Sequence, residues 1–345
     1  MDKSLISLQS VSCVYGPPGS RARALAMLDE GRSADEVEAG TGCIAGLRDV
    51  SLQIPAGEIF VVMGLSGSGK STLIRTINRL VEPTRGKIML GDTDVTALNR
   101  AGLLQLRRER VSMVFQNFAL FPHRNLLDNV AWGLQVRGMK KADRHALAAE
   151  KLRLVGLAGR EKAMPADLSG GMQQRVGLAR ALATDAEVLL MDEPFSALDP
   201  LTRREMQEHL LTLQEDLSRT IVFITHDPDE ALRLGGRLAI LDGGRLVQEG
   251  PPATILREPK NDYVRHFMAG ADRLRVLRAG AVQSPLTDAG AGADRPRVRE
   301  DEPVGRALQL LLLDGREPEV LVEDSAGRIT GRLTASDLGG LLFQG

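Results

Sequence analysis

The 345-residue sequence has few aromatic residues, few cysteines and little net charge. Aromatic residues make up 3% of it, so it offers no interleaved aromatic platform on which single-stranded nucleic acid could stack. Its 44 Lys+Arg against 45 Asp+Glu give a net charge of -1, which disfavours binding of nucleic acid through bulk positive charge. Cys13 and Cys43 cannot form a disulfide framework or a four-ligand zinc site, and we interpret them as buried thiols in a reducing cytoplasm.

Long apolar runs are also missing from the sequence. A membrane-spanning helix needs about 20 mostly apolar residues, whereas the strongest runs, Glu58–Met63 and Leu308–Leu313, are far shorter. The N-terminal residues show no basic stretch followed by a long apolar one, so no secretory signal is predicted. We therefore expect a soluble, cytoplasmic chain with two domains, or with one domain and an appendage.

Short apolar runs alternate with helical segments between about residues 58 and 245, a pattern typical of an α/β fold with a mostly parallel core sheet. The predicted buried strands are Ile59–Met63, Val111–Phe115, Val188–Met191, Thr220–Ile224 and Leu238–Leu241. An antiparallel β subdomain is predicted from Leu5–Tyr15, Leu47–Ile54 and Lys87–Leu90. Between the first two of these lies a helical insert at 20–46, strongest at Ser20–Glu38, which we interpret as a solvated amphipathic helix.

The pattern changes after Arg257. We predict a linker at 258–300, because Ala279–Asp294 is rich in small and turn-forming residues and is expected to be mobile. A compact α+β unit resumes over 301–345. It is predicted to contain a helix at Val304–Leu313, a hairpin of Glu319–Glu323 with Ile329–Leu333, and a closing helix at Ser336–Leu342.

The sharpest chemical signal is the segment Gly64-Leu-Ser-Gly-Ser-Gly-Lys-Ser71, which directly follows the predicted strand Ile59–Met63. It matches the pattern G-x-x-x-x-G-K-[ST], and a helix is predicted after it at Thr72–Leu80. The glycines let backbone N–H groups turn inward around a phosphate at a helix N-terminus. Lys70 supplies a cation for the β- and γ-phosphates, and the hydroxyl of Ser71 is placed to bind Mg²⁺.

Two carboxylates and a histidine follow later strands of the predicted sheet. Asp192 and Glu193 come directly after Val188–Met191, and His226 comes after Thr220–Thr225. Asp192 can hold the water shell of a metal ion, while Glu193, just past the strand end, can polarise a water for attack. His226 can donate a hydrogen bond to the γ-phosphate, although a lone histidine after a strand is more often structural.

Three further segments complete a recognisable set: Gln116 after the strand Val111–Phe115, Leu168-Ser-Gly-Gly-Met172 at the start of a helix to about Ala183, and Ser196-Ala-Leu-Asp199. With the segments above they resemble, in order across 1–257, the Walker A, Q-loop, signature, Walker B, D-loop and H-loop motifs of an ABC-type ATPase. The resemblance implies a P-loop NTPase fold with a helical subdomain at about 117–167. Met172 departs from the family's usual glutamine, while Ser169 and Gly171 are retained.

The resemblance also implies roles for individual residues, with ATP and Mg²⁺ as cofactors. The catalytic residues are Glu193, His226 and Gln116, and the Mg²⁺ ligands are Ser71, Gln116 and Asp192. The implied ATP-binding residues are Gly64, Leu65, Ser66, Gly67, Ser68, Gly69, Lys70, Ser71, Thr72 and Tyr15, together with Ser169, Gly170, Gly171 and Asp199 from a second subunit. Tyr15 resembles an aromatic residue that stacks on adenine, and its alternative is a plain edge-strand tyrosine.

One P-loop and one signature give a single chain two half-sites, so the resemblance implies a homodimer that closes on two ATP and reopens after hydrolysis. Because no spanning segment is predicted, the channel is expected on two permease chains, with a substrate-binding protein as an indirect partner. The chain is then peripheral at the cytoplasmic face of the plasma membrane. The segment after Gln116 resembles the region that docks permeases, and Phe118, Leu120 and Phe121 are either part of it or ordinary core.

The sequence is similar to ATPase subunits of glycine betaine, proline and choline importers. The similar parts are the insert at 20–46, Gly57–Lys70 with Leu65 in place of a common proline, Leu80–Gly86 and Pro259–Val264. They imply import of quaternary amines, including proline betaine, as osmoprotectants. The alternatives are import of another amino-acid-like or inorganic solute, and a soluble ABC ATPase acting on ribosomes or DNA. The second alternative is disfavoured by the absence of a second P-loop and of a long heptad run.

The C-terminal segment 301–345 is similar to one CBS motif, through Asp301-Glu-Pro-Val304, the hairpin and Thr334-Ala-Ser-Asp337. Such motifs work in pairs, so this copy either pairs with that of the partner subunit or is a remnant. If it keeps a ligand site, Thr334 and Asp337 match ribose-binding positions and an adenine nucleotide is the expected regulator. The alternative is that Thr334 or Ser336 caps the last helix.

Overall fold

The computed structural model describes residues 4–116, 119–196, 198–217, 219–286, 295–314 and 319–342. The chain divides into two compact units. Unit 1 comprises Met1–His226 and Leu241–Leu246, and unit 2 comprises Asp227–Ile240 and Val247–Gly345. Among the residues described, no helix is long and apolar enough to span a membrane.

Most predicted elements are present, with ends shifted by up to three residues. The strands are β1 (Ser4–Tyr15), β2 (Ile44–Pro55), β3 (Ile59–Met63), β4 (Arg85–Leu90), β5 (Thr93–Asp94), β6 (Val111–Val114), β7 (Val188–Asp192), β8 (Thr220–Thr225), β9 (Arg237–Asp242), β10 (Arg245–Gly250), β11 (Arg297–Arg299), β12 (Glu319–Glu323) and β13 (Ile329–Thr334). The helices are α1 (Arg21–Asp29), α2 (Ala34–Thr41), α3 (Lys70–Ile77), α4 (Arg100–Glu109), α5 (Leu126–Val130), α6 (Trp132–Val136), α7 (Lys141–Leu154), α8 (Gly170–Ala183), α9 (Pro200–Leu217), α10 (Pro228–Leu234), α11 (Pro252–Arg257), α12 (Asp262–Met268), α13 (Arg273–Val276), α14 (Ala279–Val282), α15 (Val304–Asp314) and α16 (Ala335–Leu342).

The core of unit 1 contains the parallel strands β3, β8, β7 and β6, which are neighbours in that order. Every residue of β3, β7 and β8 is buried, which explains why they are continuous apolar runs in the sequence. Met63 pairs with Thr225, and Asp192 pairs with Ile224, so these strands end together. Ligand sites of parallel sheets lie at this carboxyl edge, and the predicted site residues follow these strand ends.

The predicted antiparallel subdomain is confirmed as a sheet of order β2-β1-β4-β5. The insert between β1 and β2 differs from its prediction, because it forms two helices, α1 and α2, instead of one solvated helix. Gly31, with φ +84°, and Ser33, which forms a capping box with Glu36, end one helix and start the next. The pair has an apolar core of its own, formed by Val14, Ala24, Leu28, Val37 and Cys43.

Helices α5, α6 and α7 occupy the segment predicted as a helical subdomain. Asn129 is buried there, and its side chain bonds the backbone of Phe121, Arg124 and Asn125, which fixes the turn before α5. The ring of Trp132 contacts that of Phe121 edge to face. Leu120 and Phe121 are half-buried, and Phe118 lies outside the described residues.

Unit 2 contains the predicted C-terminal hairpin, β12 and β13, together with α15 and α16. Strand β11, which the sequence did not indicate, pairs in parallel with β12. The prediction of a linker at 258–300 is wrong for the residues of this range that the structure describes. Val264 and Met268 of α12 are buried, and so are Ala279 and Val282 of α14. The small and apolar residues of this range therefore pack in helices and do not form a mobile linker. Residues 287–294, predicted as mobile, lie outside the described ranges.

Candidate functional site

The loop Gly64–Gly69 joins β3 to α3 and folds tightly because of its glycines. Gly64, Gly67 and Gly69 have φ of +148°, +81° and +100°, a region that side chains disfavour. A Cβ at Gly64 would lie 2.3 Å from the carbonyl oxygen of Leu241, and one at Gly69 2.4 Å from that of Gly46. The backbone therefore packs as only glycine allows, and it leads into the N-terminus of α3, where anions are favoured.

Two buried polar side chains belong to the loop and to the first residue of α3: those of Ser68 and Lys70. The Nζ of Lys70 donates hydrogen bonds of 2.8 and 2.9 Å to the carbonyl oxygens of Gly64 and Leu65, and Lys70 is 5% exposed. Burial lowers the pKa of Lys70, and the nearby carboxylates of Glu193 and Asp192 act against that shift. The hydroxyl of Ser68 is buried and has no hydrogen-bond partner among the described residues. A buried hydroxyl left unpaired is costly, so Ser68 fits a loop built to receive an anion.

A fully buried carboxylate lies beside the first turn of α3. Ser71 Oγ donates a 2.9 Å hydrogen bond to Oδ1 of Asp192, and Nη2 of Arg75 lies 2.9 Å from Oδ2 of Asp192. Sequence reasoning placed Ser71 and Asp192 together but missed Arg75. The spacing of Arg75 from Ser71 places both residues on one face of α3, but it does not reveal Asp192 as their partner.

Three more predicted residues meet at Glu193, which follows β7. Gln116 Nε2 donates a 3.1 Å hydrogen bond to Glu193 Oε2, and His226 Nδ1 lies 3.3 Å from Oε1. Glu193 has φ +46°, in the left-handed region. Its side chain is 17% exposed, whereas that of His226 is 58% exposed. The ends of β6, β7 and β8 thus bring the three predicted catalytic residues together.

Tyr15 lies beside the P-loop helix despite its distance in sequence. Its hydroxyl donates a 3.1 Å hydrogen bond to Oγ1 of Thr72. Its ring lies against Gly46, where an added Cβ would be 2.6 Å from Tyr15 Cε2. The pairing of β1 with β2 accounts for this position, since it sets Tyr15 opposite Ile44 and brings the two ends of the insert together.

The predicted signature segment forms the N-terminus of α8. Ser169 is its N-cap and accepts a hydrogen bond from the N–H of Met172, with Gly170 and Gly171 in the first turn. These residues and Asp199 line a pocket of about 550 Å³. The carboxylate of Asp199 accepts hydrogen bonds from Thr202, which lower its pKa. Ala197, within the predicted D-loop, lies outside the described residues.

Thr334 and Asp337 belong to unit 2 and bond to each other. Asp337 Oδ2 accepts hydrogen bonds from the backbone N–H and the hydroxyl of Thr334, at 2.8 and 2.6 Å. The N–H of Asp337 donates in return to Thr334 Oγ1, at 3.2 Å. Ser284 donates to the other carboxylate oxygen, Oδ1, at 2.8 Å. The pair therefore forms a reciprocal cap at the start of α16, the arrangement expected from the alternative for this segment.

Comparisons with known proteins agree with this arrangement. A model of the ABC transporter family matches residues 47–196. A glycine betaine/carnitine transport ATP-binding protein of Listeria monocytogenes is 50% identical over 295 residues, which are 86% of this chain and 74% of that protein. A trimethylamine N-oxide transport system ATP-binding protein of Pelagibacter ubique is 42% identical over 339 residues, 98% of this chain and 97% of that one.

Among solved structures, a dimeric ATP-binding cassette in a post-hydrolysis state with ADP and phosphate is similar with a TM-score of 0.62 and 32% identity. The match covers 72% of this chain and 98% of that cassette. The fold, the assembled motifs and these relatives define a P-loop ATPase of the ABC class. The chain belongs to the ATP-binding proteins of ABC transporters, which confirms the predicted resemblance and implies ATP binding and hydrolysis.

Proposed function

We propose that this chain is the ATP-hydrolysing subunit of an importer for quaternary amines or closely related methylated amines. The observation that carries the proposal is the meeting of Ser71, Asp192, Gln116, Glu193 and His226 at one edge of the parallel sheet. Residues 1–257 act as the ATPase domain. The chain works at the cytoplasmic face of a membrane, through permease chains that supply the channel.

ATP binding is assigned to Gly64–Thr72 and Tyr15. The unpaired hydroxyl of Ser68 and the glycine-built loop provide the phosphate site. Lys70, whose Nζ donates to the carbonyl oxygens of Gly64 and Leu65, can donate to phosphate oxygens from the same position. Tyr15 provides a partly exposed ring for adenine beside Thr72.

The oxygen donors of Ser71, Asp192 and Gln116 suit Mg²⁺, which prefers oxygen ligands and binds through few protein groups plus substrate phosphates. When bound there, the ion would neutralise charge that develops on the phosphates. The hydrogen bond between Ser71 and Asp192 already holds hydroxyl and carboxylate side by side. Two of the three proposed ligands are therefore already adjacent.

Glu193 is the proposed general base. Gln116 contacts one carboxylate oxygen and His226 the other, and together they hold the carboxylate beside the P-loop. A positioned base contributes about 10²–10⁴-fold to rate. In the closed state His226 can turn its exposed ring to the γ-phosphate, while Glu193 takes a proton from the attacking water.

The second half of each ATP site comes from another copy of this chain. Ser169, Gly170, Gly171 and Asp199 line their own pocket and offer a helix N-terminus for phosphate. One chain carries one P-loop and one signature, so two chains are needed to complete two sites. Dimer closure on ATP and reopening after hydrolysis then drive the permease.

The cargo proposal comes from the relatives, since a fold does not name its cargo. The Listeria monocytogenes protein is named for glycine betaine and carnitine, and that of Pelagibacter ubique for trimethylamine N-oxide. All three compounds carry a methylated nitrogen. Trimethylamine N-oxide is the second candidate cargo, because the match to the relative named for it spans nearly the full length of both chains. A substrate-binding protein is the component that selects among these cargoes.

Regulation by an adenine nucleotide at the CBS-like segment remains a prediction. Thr334 and Asp337 satisfy each other and Ser284. Nucleotide binding at these two residues would therefore have to break the cap of α16.

Reconstitution in liposomes with the proposed permease and substrate-binding protein tests the proposal. Glycine betaine or trimethylamine N-oxide should stimulate ATP hydrolysis and enter the liposomes, and a Lys70→Ala variant should do neither. Stimulation by an unrelated solute, such as a sugar, and by neither methylated amine would contradict the cargo assignment.

A further inference from the structure

Arg75 and Ser71 reach the same carboxylate from successive turns of α3. Ser71 Oγ donates to Oδ1 of Asp192, and Arg75 Nη2 donates to Oδ2, each at 2.9 Å. Side chains four residues apart lie on one face of a helix. The helix that begins at the phosphate loop thus delivers a hydroxyl and a cation to a single carboxylate.

The ion pair of Arg75 with Asp192 matters for the charge of the site because the Asp192 carboxylate is fully buried. The Asp192 side chain is 0% exposed, whereas that of Arg75 is 41% exposed. A buried carboxylate is costly without a cationic partner. The Nε of Arg75 is buried and has no hydrogen-bond partner among the described residues. The guanidinium therefore bonds Asp192 through Nη2 and keeps a second donor, Nε–H, without a partner.

We propose that Arg75 is a positioning residue that partly neutralises Asp192 and so sets how tightly the proposed magnesium site binds its ion. This inference rests on the proposed function, because it presupposes that site. Arg75 takes up one of the two Asp192 oxygens, and its positive charge opposes a second cation at the same carboxylate. Removing that charge, while keeping a hydrogen-bond donor, strengthens metal binding.

The test measures the affinity of the full-length protein for ADP in excess Mg²⁺ and again in EDTA, by calorimetry. The ratio of the two affinities reports metal binding in the nucleotide complex, since the coupling is reciprocal. We expect Arg75→Gln to raise this ratio about tenfold. Arg75→Lys, which keeps the charge, should stay within about twofold of the natural protein.

Arg85→Gln is the matched control. Arg85 forms a two-pronged ion pair with Asp29, at 2.7 and 2.8 Å, outside the site and in the same unit. Arg85→Gln should leave the ratio of the two ADP affinities unchanged. If Arg75→Gln weakens both affinities equally, Arg75 is only structural and the inference is overturned. If Mg²⁺ does not affect ADP binding to the natural protein, the proposed magnesium site itself fails.

A second measurement covers the case in which Arg75→Gln does not fold. The Nε–H signal of Arg75 in the natural protein can be followed by NMR, assigned by its loss in Arg75→Lys. We expect it to move when Mg²⁺ replaces EDTA in the ADP complex, while the Arg85 signal stays. An unmoved Arg75 signal would overturn the inference.

Discussion

His226 Nδ1 lies 3.3 Å from Oε1 of Glu193, and Gln116 donates to the other carboxylate oxygen, Oε2, at 3.1 Å. The three residues follow three neighbouring parallel strands, so the sheet fixes their separation. Glu193 is held in the left-handed region at φ +46°, a conformation that persists where the surroundings impose it. The contacts to both oxygens are part of those surroundings.

Replacing His226 tests its place beside Glu193. His226→Ala should lower kcat at least about tenfold, because the carboxylate loses one of its two lateral contacts and the γ-phosphate loses a donor. The KM for ATP should change little, since the P-loop is intact. Steady-state kinetics measure both quantities. A normal kcat would show that His226 is structural, the alternative that the sequence left open.

The role of Tyr15 can be separated into ring and hydroxyl. Tyr15→Ala should weaken ATP binding about five- to 150-fold, because base stacking contributes about 1–3 kcal/mol. Tyr15→Phe loses only the hydrogen bond to Thr72 and should stay within about fivefold. Binding of a fluorescent ATP analogue checks this. Unchanged affinity in Tyr15→Ala would identify Tyr15 as a plain edge-strand residue.

The parallel strands and the P-loop were predictable because their signals are local. Ile59–Met63 has the predicted bounds, since a fully buried strand is a continuous apolar run followed by glycine. The contacts of Glu193 with Gln116 and His226 were predictable only in part. Each residue followed a predicted strand, but their meeting depends on the strand order β8-β7-β6.

Other features depend on contacts between distant segments and left no local signal. The insert was predicted as one solvated helix, yet Val14 and Cys43, which flank it, help bury its apolar side chains. Arg75 was missed because an arginine on a helix gives no sign of a buried partner more than a hundred residues away. The packed helices within 258–300 were missed because small residues suggest mobility as readily as close packing.

The two cysteines should resist modification in the folded protein. Cys13 and Cys43 are 1% and 0% exposed, and burial raises the pKa of the Cys13 thiol from 9.0 to about 11. That shift lowers the thiolate fraction near neutral pH about 100-fold. Iodoacetamide at pH 8 should label the native chain at least that much more slowly than the denatured one, with Cys13→Ala separating the two sites. Rapid native labelling at Cys13 would contradict this.

The same shift has a consequence for alkaline stability. The unfolded thiol of Cys13 loses its proton near pH 9.0, whereas the folded one keeps it until about 11. Stability therefore falls as pH rises through this interval, because the unfolded state binds fewer protons. Between pH 9.0 and about 11, the free energy of unfolding of the Cys13→Ala variant, measured by urea unfolding, should fall less than that of the natural protein.

The cap formed by Thr334 and Asp337 should stabilise α16. Thr334→Ala should cost about 1 kcal/mol at neutral pH, the usual effect of losing an N-terminal cap. Burial acts to raise the pKa of Asp337, but the hydrogen bonds from Thr334 and Ser284 together outweigh it and hold the pKa below its usual 3.8. The carboxylate contribution is thus present above pH 3.8 and is lost as pH falls through the folded pKa.

Thermal unfolding of natural protein and Thr334→Ala at neutral pH and at pH 3 measures this difference. The gap between the two proteins should shrink at the acid pH. A gap that persists in acid would show that Thr334 acts independently of the Asp337 carboxylate. A nucleotide that stabilises the natural protein but not Thr334→Ala, when Lys70→Ala is present in both, would favour the regulatory site.

In the proposed mechanism two copies of this chain close on ATP, and Glu193 drives reopening by activating water. Glu193→Gln keeps the contact to Gln116 as an amide but cannot accept a proton. Size-exclusion chromatography with light scattering should show Glu193→Gln at twice the 37.3 kDa chain mass in ATP, and at the single-chain mass in ADP. Turnover should fall about 10²–10⁴-fold. A variant that stays monomeric in ATP, or that hydrolyses ATP at the natural rate, would contradict the claim.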